Sequence, residues 1–231
     1  MVPERCQTFL SAVIERRCSV CAGFAEDGRL CAGCRADLPW NRIAYPVCAL
    51  LQQGLSYICA SCVSTAPPYD LAWSAFRYET PLPSTMAGLN YHAQLRHALL
   101  LGLEMAEALA RRAAPLPELL LPMPLHPRRL RWRGYNQSPE LARAIASRLA
   151  IEIDATAVRR TRATADQIGT SAARRRRNVR GAFAAESRLR GRHIALIDDV
   201  MTTGASVAEL ARACRKAGAT TIEVWTAARA V

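Results

Sequence analysis

Apolar and polar positions alternate most clearly in the second half of the chain. Residues 119–123 and 194–197 are short unbroken apolar runs, the pattern of strands buried on both faces of a sheet. Leu141, Ile145 and Leu149 recur at helical spacing, and Ser138 reads as the cap of that helix with Pro139 at its first position. Val207, Leu210, Ala211 and Cys214 form another apolar stripe, opened by Thr203 and Gly204 and stopped by Gly218. Residues 151–158 and 221–226 read as further strands. Strand and helix alternate, so residues 117–231 are expected to form an α/β domain, a mostly parallel sheet with helices on both faces.

The pattern weakens upstream. Residues 69–78 alternate loosely, as one strand. Leu95, Leu99, Leu103, Ala106 and Leu109 recur at helical intervals within residues 93–112. Pro67 and Pro68 on one side and Pro115 and Pro117 on the other set off residues 67–116 as a linker or hood segment. His92 and His97 are five positions apart, a poor spacing for one helical metal face, and read as surface or core residues.

Residues 1–66 show a different signal. Of nine cysteines in the chain, eight fall before residue 63, which marks a separate N-terminal module. Cys18 and Cys21 form one Cys-x2-Cys pair and Cys31 and Cys34 a second, with nine residues between them. Two such knuckles close a tetrahedral thiolate site for Zn2+, joined by a turn at Glu26, Asp27 and Gly28. A second set repeats the spacing with one change: Tyr45, Cys48, Cys59 and Cys62, where the tyrosine stands in place of a cysteine. Three thiolates with another ligand, a replacement by Cys6, a lost site, and cross-pairing of knuckles between the sets all satisfy the spacing. Metal here is expected to be structural, because so short a segment buries little surface by itself. A zinc-stabilised strut and a nucleic-acid-binding ribbon are the two readings of the module.

Charge narrows the partners. The chain carries 31 Lys and Arg against 19 Asp and Glu, a net charge of +12, which favours phosphates, nucleotides or nucleic acid once it clusters. It clusters in residues 159–180, which hold eight arginines. No apolar run reaches the roughly 18 to 20 residues of a membrane span, and residues 1–17 lack the apolar centre of a signal peptide. The expectation is a soluble, cytoplasmic protein.

The stretch IALIDDVMTTGAS, residues 194–206, places two carboxylates where an apolar run ends. In open α/β sheets ligands bind beyond the carboxyl ends of the strands. Asp198 and Asp199 can grasp two hydroxyls of a ribose, directly or through a divalent cation. Thr202, Thr203, Gly204, Ala205 and Ser206 then offer bare N–H groups, hydroxyls and a helix N-terminus to a phosphate dianion. An ordinary acidic turn before a helix cap accounts for one aspartate, but not for both followed by this run. The residues describe a ribose 5-phosphate site.

IALIDDVMTTGAS resembles the phosphoribosyl-pyrophosphate (PRPP) motif of type I phosphoribosyltransferases. More closely, the chain resembles the ComF/GntX family, competence-associated proteins with a double zinc ribbon joined to a phosphoribosyltransferase domain. The resemblance also rests on the cysteines, on Pro124, Leu125, His126 and Pro127 through Arg133, Gly134, Tyr135, Asn136 and Gln137, on Gln167, Ile168 and Gly169, and on residues 175–183. It implies a type I phosphoribosyltransferase-like fold, with ribose hydroxyls on Asp198 and Asp199 and the 5′-phosphate on residues 202–206. It implies a pyrophosphate loop at Met123, Pro124 and His126, completed by Arg133, Asn136 and Gln137. It implies an arginine-rich lid over residues 159–180, with Gln167, Arg175 and Asn178 acting on the pyrophosphate and Mg2+ accompanying PRPP. Guanidinium groups suit that task independently, because they match phosphate oxygens.

Against the family pattern, Tyr45 replaces a ligand cysteine, Asn90 a lysine, Thr170 a leucine and Arg174 a glutamate. Three functions fit: a phosphoribosyltransferase, a PRPP-binding protein without turnover serving DNA uptake, and a single-stranded-DNA-binding competence factor with a relic PRPP site. The partners implied are PRPP, single-stranded DNA and the DNA-uptake machinery.

Overall fold

The computed structural model describes residues 17–26, 29–80, 82–83, 95–162 and 177–230, with the backbone alone at 95, 96 and 133. The chain divides into two compact units between Pro39 and Trp40.

The smaller unit is built on its knuckles. Cys18 donates its N–H to Gly23 O (2.7 Å), and Arg17 and Phe24 form an antiparallel bridge around the turn. Helix α1, Ala32–Ala36, starts at Cys31, whose Sγ accepts from Cys34 N–H. Asp27 and Gly28, expected in the connecting turn, lie outside the described residues, as does Cys6.

The larger unit contains a five-stranded parallel sheet. Its strands are β1 (Leu71–Arg77), β2 (Leu119–Pro122), β3 (Glu152–Ile153), β6 (His193–Met201) and β7 (Thr221–Arg229), in the order β1-β7-β6-β2-β3. Pairing is parallel throughout, as in Leu119↔Ile194, Leu196↔Val224 and Leu71↔Glu223. Helix α2 (Ala60–Ser64) precedes β1, and between the strands lie α3 (Leu95–Leu109), α4 (Pro127–Arg133), α5 (Gln137–Leu149) and α6 (Ala205–Lys216). Side chains alternate across a strand. Leu119, Leu121, Ile194, Leu196, Ile222 and Val224 therefore share one core with Val207, Leu210, Ala211 and Cys214 of α6. The opposite face carries Leu120, Ala195, Ile197 and Trp225, all fully buried, on the side covered by α3 and α5. This is the α/β class expected, a parallel sheet with helices on both faces.

Two local features explain the packing of the α3 and α5 face. Gly102 lets α3 approach α5 so closely that a β-carbon there would lie 2.6 Å from Ala144 Cβ. Glu223, buried on β7, is satisfied by Arg112 (2.9 Å), His193 Nε2 (3.1 Å) and Trp225 Nε1 (2.8 Å).

Several boundaries differ from the sequence reading. Residues 151–158 are not one strand. Asp154 Oδ1 accepts from the N–H groups of Thr156 and Ala157, and this side-chain turn ends β3. The chain then forms β4, Val158–Arg160, antiparallel to β5, Phe183–Ala185, a two-stranded ribbon of its own. The segment read as an arginine-rich lid thus begins on a strand. Its far end is fixed too, with Val179 and Ala182 buried and Gly181 N–H donating to Glu209 Oε1 (2.7 Å). Helix α5 starts at Gln137, and its cap is Asn136, whose Oδ1 accepts from Ser138 N–H (3.3 Å). Ser138 is therefore not the cap, and Pro139 falls at the third position of the first turn, where a missing N–H costs no helical bond.

Candidate ribose-phosphate and metal sites

Strand β6 does not stop before the acidic pair. It continues beside β7 to Met201↔Arg229, while its pairing with β2 ends at Pro122↔Ile197. Asp198 and Asp199 thus sit where β6 loses its neighbour on one side. Pro124 follows directly, since Met123 N–H still donates to Ile197 O (2.8 Å).

The acids are held from the start of α5. Ser138 Oγ donates to Asp198 Oδ1 (3.2 Å) and Gln137 Nε2 to Asp199 Oδ2 (2.7 Å). Asn136 Nδ2 donates to Met123 O (2.9 Å), which ties the segment after β2 to the same helix. Desolvation, then the neighbouring Asp199 charge, pushes the Asp198 carboxyl well above its ordinary range. Arg160 on β4 faces Asp198 and Arg129; burial first, then the Arg129 charge, holds its pKa below the usual guanidinium value. No motif in the sequence marks Ser138, Arg129 or Arg160 as a site residue; the one signal is that Arg129 and Arg160 stand in arginine-rich stretches.

Beyond the acids the chain makes a tight loop into α6. A cavity of about 40 Å³ is lined by Asp198, Val200 and residues 201–207, which include Thr202, Thr203, Gly204, Ala205 and Ser206. Gly204 precedes the helix in the left-handed region (φ 71°), and Thr203 Oγ1 accepts from Ala205 N–H (3.4 Å). Asp198 borders this cavity, whereas Asp199 is turned to Gln137.

Arg229, near the end of β7, supports the loop from behind. Its buried guanidinium donates to the carbonyls of Met201 (2.7 Å), Thr202, Ala230 and Cys48 (2.9 Å). No motif marks this residue in the sequence; its role exists only because β7 ends beside the loop.

The remaining expected residues separate. His126 Nδ1 accepts from Arg128 N–H (3.2 Å), so this imidazole caps α4. Asn178 stands at the base of the lid segment, where its carbonyl accepts from Arg162 (3.1 Å). Gln167 and Arg175 lie outside the described residues, as do Asn90, His92, Thr170 and Arg174; for Arg133 only the backbone is described.

The cysteines form two groups. The sulfurs of Cys18, Cys21, Cys31 and Cys34 all lie within 4.8 Å of one another, and so do those of Cys48, Cys59 and Cys62. Cys21 and Cys31 sulfurs are 3.7 Å apart, and those of Cys48 and Cys59 are 3.6 Å apart. A cation about 2.3 Å from each of four sulfurs sets neighbouring sulfurs about 3.8 Å apart. Both groups therefore fit Zn2+, and each knuckle is paired within its own set. Desolvation raises the Cys18 thiol, but N–H groups of Cys21, Cys31 and Val20 outweigh it and bring it to about 6. Desolvation first, then the neighbouring Cys59 and Cys48 thiols, pushes Cys62 up to about 12. Tyr45 does not supply the fourth ligand of the second set. Its hydroxyl donates to Gln53 O (3.0 Å) and accepts from Gln53 N–H (3.3 Å).

A larger cavity of about 920 Å³ joins this second set to the loop before α6. Its walls include Cys48, Cys59, Cys62, Thr203, Gly204 and Arg229, with Arg177, Arg180 and Arg212 around them. Among the described residues no helix is long and apolar enough to cross a membrane.

No family model matches the chain. Among curated proteins it is 34% identical over 200 residues to the DNA utilization protein YhgH of Escherichia coli O157:H7, covering 85% of this chain and 88% of the relative. It is 32% identical over 227 residues to competence protein F of Haemophilus influenzae, covering 93% and 97%. Among solved structures it overlaps glutamine PRPP amidotransferase from B. subtilis with a TM-score of 0.39 and 21% identity, over 56% of this chain and 25% of that one. It overlaps TT1426 from Thermus thermophilus with a TM-score of 0.34 and 24% identity, over 56% and 72%. At this identity, over nearly the whole length of its relatives, the chain belongs to the family of competence protein F and the DNA utilization protein YhgH.

Proposed function

We propose that this chain binds PRPP, with the 5′-phosphate in the cavity at residues 201–207 and the ribose hydroxyls toward Asp198 and Asp199, and that it does so in the service of DNA uptake or use. The observation that carries the reading is the conjunction of two adjacent acids held by Ser138 and Gln137 with a cavity lined by loop backbone and the N-terminus of a 12-residue helix. Phosphate favours the positive end of such a helix, and ribose hydroxyls donate to carboxylates. Ser138 and Gln137 fix the acids, and Arg229 fixes the loop. Asp198 and Asp199, as hard oxygen donors, are also the residues that would hold Mg2+ with the sugar; the ion neutralises pyrophosphate charge when bound. Arg160, with Arg175, Gln167, Asn178, Arg133, His126 and Pro124, is assigned to the pyrophosphate side.

As a phosphoribosyltransferase, the chain would form a bond from the acceptor to the anomeric carbon while the carbon–oxygen bond to pyrophosphate breaks. Its own part is to position the sugar and stabilise the leaving anion. Calorimetry with PRPP and Mg2+ tests the reading. A saturable heat that disappears in Asp198→Asn/Asp199→Asn is expected; no heat, or heat unchanged by the variant, refutes it. Pyrophosphate release across a panel of bases and amines then separates turnover from binding alone.

A second reading, single-stranded DNA binding with a relic PRPP site, draws on Arg177, Arg180 and Arg212 along the larger cavity, continued by Arg215 and Lys216 in its neighbour. It requires oligonucleotide affinity to fall steeply with salt. A flat salt response removes it.

A further inference from the structure

The two cysteine groups differ in one way that bears on chemistry. The first offers four sulfurs, the closed set of a structural zinc site. The second offers three among the described residues, and the side chain at the fourth position, Tyr45, is bound to the backbone of Gln53. Cys48, Cys59 and Cys62 all border the cavity of about 920 Å³, and Tyr45 does not. A metal on three protein ligands with a free position toward a cavity is the arrangement of exchangeable rather than structural zinc. The opposite wall is the ribose-phosphate loop, through Thr203 and Gly204, and a cavity of this size accepts a small organic molecule. Charge agrees: three thiolates and a divalent cation leave one negative charge, and the Arg229 guanidinium on Cys48 O lies beside it.

We propose that Cys48, Cys59 and Cys62 form an open metal site, which holds a thiophilic divalent cation on three sulfurs and leaves its fourth position to a nitrogen or sulfur donor entering from the cavity. The replacement of a fourth cysteine by Tyr45 is then what opens the site, rather than what destroys it. This inference stands on the cysteines alone and does not require PRPP to bind.

Cobalt substitution of the full chain tests it, with imidazole as the probe. Two Co2+ ions per chain are expected, one per cysteine group. One should show the visible bands of four-sulfur coordination, the other the blue-shifted bands of three sulfurs and a lighter donor. Imidazole should move only the second component. That response should vanish in Cys59→Ser/Cys62→Ser, persist in Cys18→Ser/Cys21→Ser, and vanish in Tyr45→Cys, with the blue-shifted bands replaced by four-sulfur ones. A single Co2+ per chain, or two four-sulfur components indifferent to imidazole, overturns the proposal. The wild-type titration decides this by itself should a variant fail to fold. PRPP calorimetry is a separate measurement, so either reading can fail without the other.

Discussion

Replacing Arg229 by methionine probes the link between the sheet and the loop of residues 201–204. Methionine keeps much of the apolar stem and removes the guanidinium, withdrawing its bonds from four carbonyls. Those of Thr202 and Ala230 belong to less buried residues and can recover a bond from water. That of Met201 keeps the N–H of Ala230 (3.0 Å), whereas that of Cys48, a residue only 6% exposed, loses its donor. An orphaned buried acceptor costs about 1–3 kcal/mol, and the desolvation of the guanidinium, no longer needed, offsets part of the sum. The net expectation is a loss of about 1–2 kcal/mol. With a urea m-value of about 2 kcal/mol/M, the unfolding midpoint should fall by about 0.5–1 M. Zinc-loaded wild type and Arg229→Met are compared by urea titration followed by tryptophan fluorescence, since Trp225 lies buried on the same strand. A midpoint within about 0.3 M of wild type at unchanged m would refute the view that this side chain holds the loop.

Three further outcomes follow from the geometry. Asp198 has a raised folded-state pKa, so the native state binds more protons than the unfolded chain, and this residue's contribution to stability falls as pH rises from the ordinary carboxylate range through that pKa. Asp198→Asn should therefore raise the melting temperature at neutral pH, with the gain shrinking toward pH 4, while PRPP heat is lost; equal melting gains at both pH values would contradict the assignment. Gly204→Ala places a side chain in left-handed backbone at a cost of about 1–2 kcal/mol, read as a fall of about 2–8 °C in melting temperature. Gly102→Ala forces α3 away from Ala144 and Leu141 O, an overpacking cost of about 1–3 kcal/mol that urea titration should show without any change in PRPP heat.

Much of this architecture is local and was legible as such. Unbroken apolar runs identify β2 and β6 because strands buried on both faces have no polar side. The stripes of α5 and α6 set which face each turns inward. Paired cysteine spacing predicts two clusters, and the Asp198-Asp199 run into Gly204 marks a strand passing into a helix. What the sequence could not decide depends on which distant segments meet. Residues 71–77 read only as a loose strand in a linker, yet they form the sheet edge through Leu71↔Glu223, a pairing no local pattern encodes. Ser138 looked like a helix cap; the approach of α5 to β6 makes its hydroxyl a donor to Asp198 instead. Arg229 lacks any motif and becomes the support of the loop because β7 ends between Cys48 and Met201. Patterns along a chain report which side of an element is buried, whereas the partner of a buried polar group is settled only when the sheet closes and every donor must find the nearest acceptor.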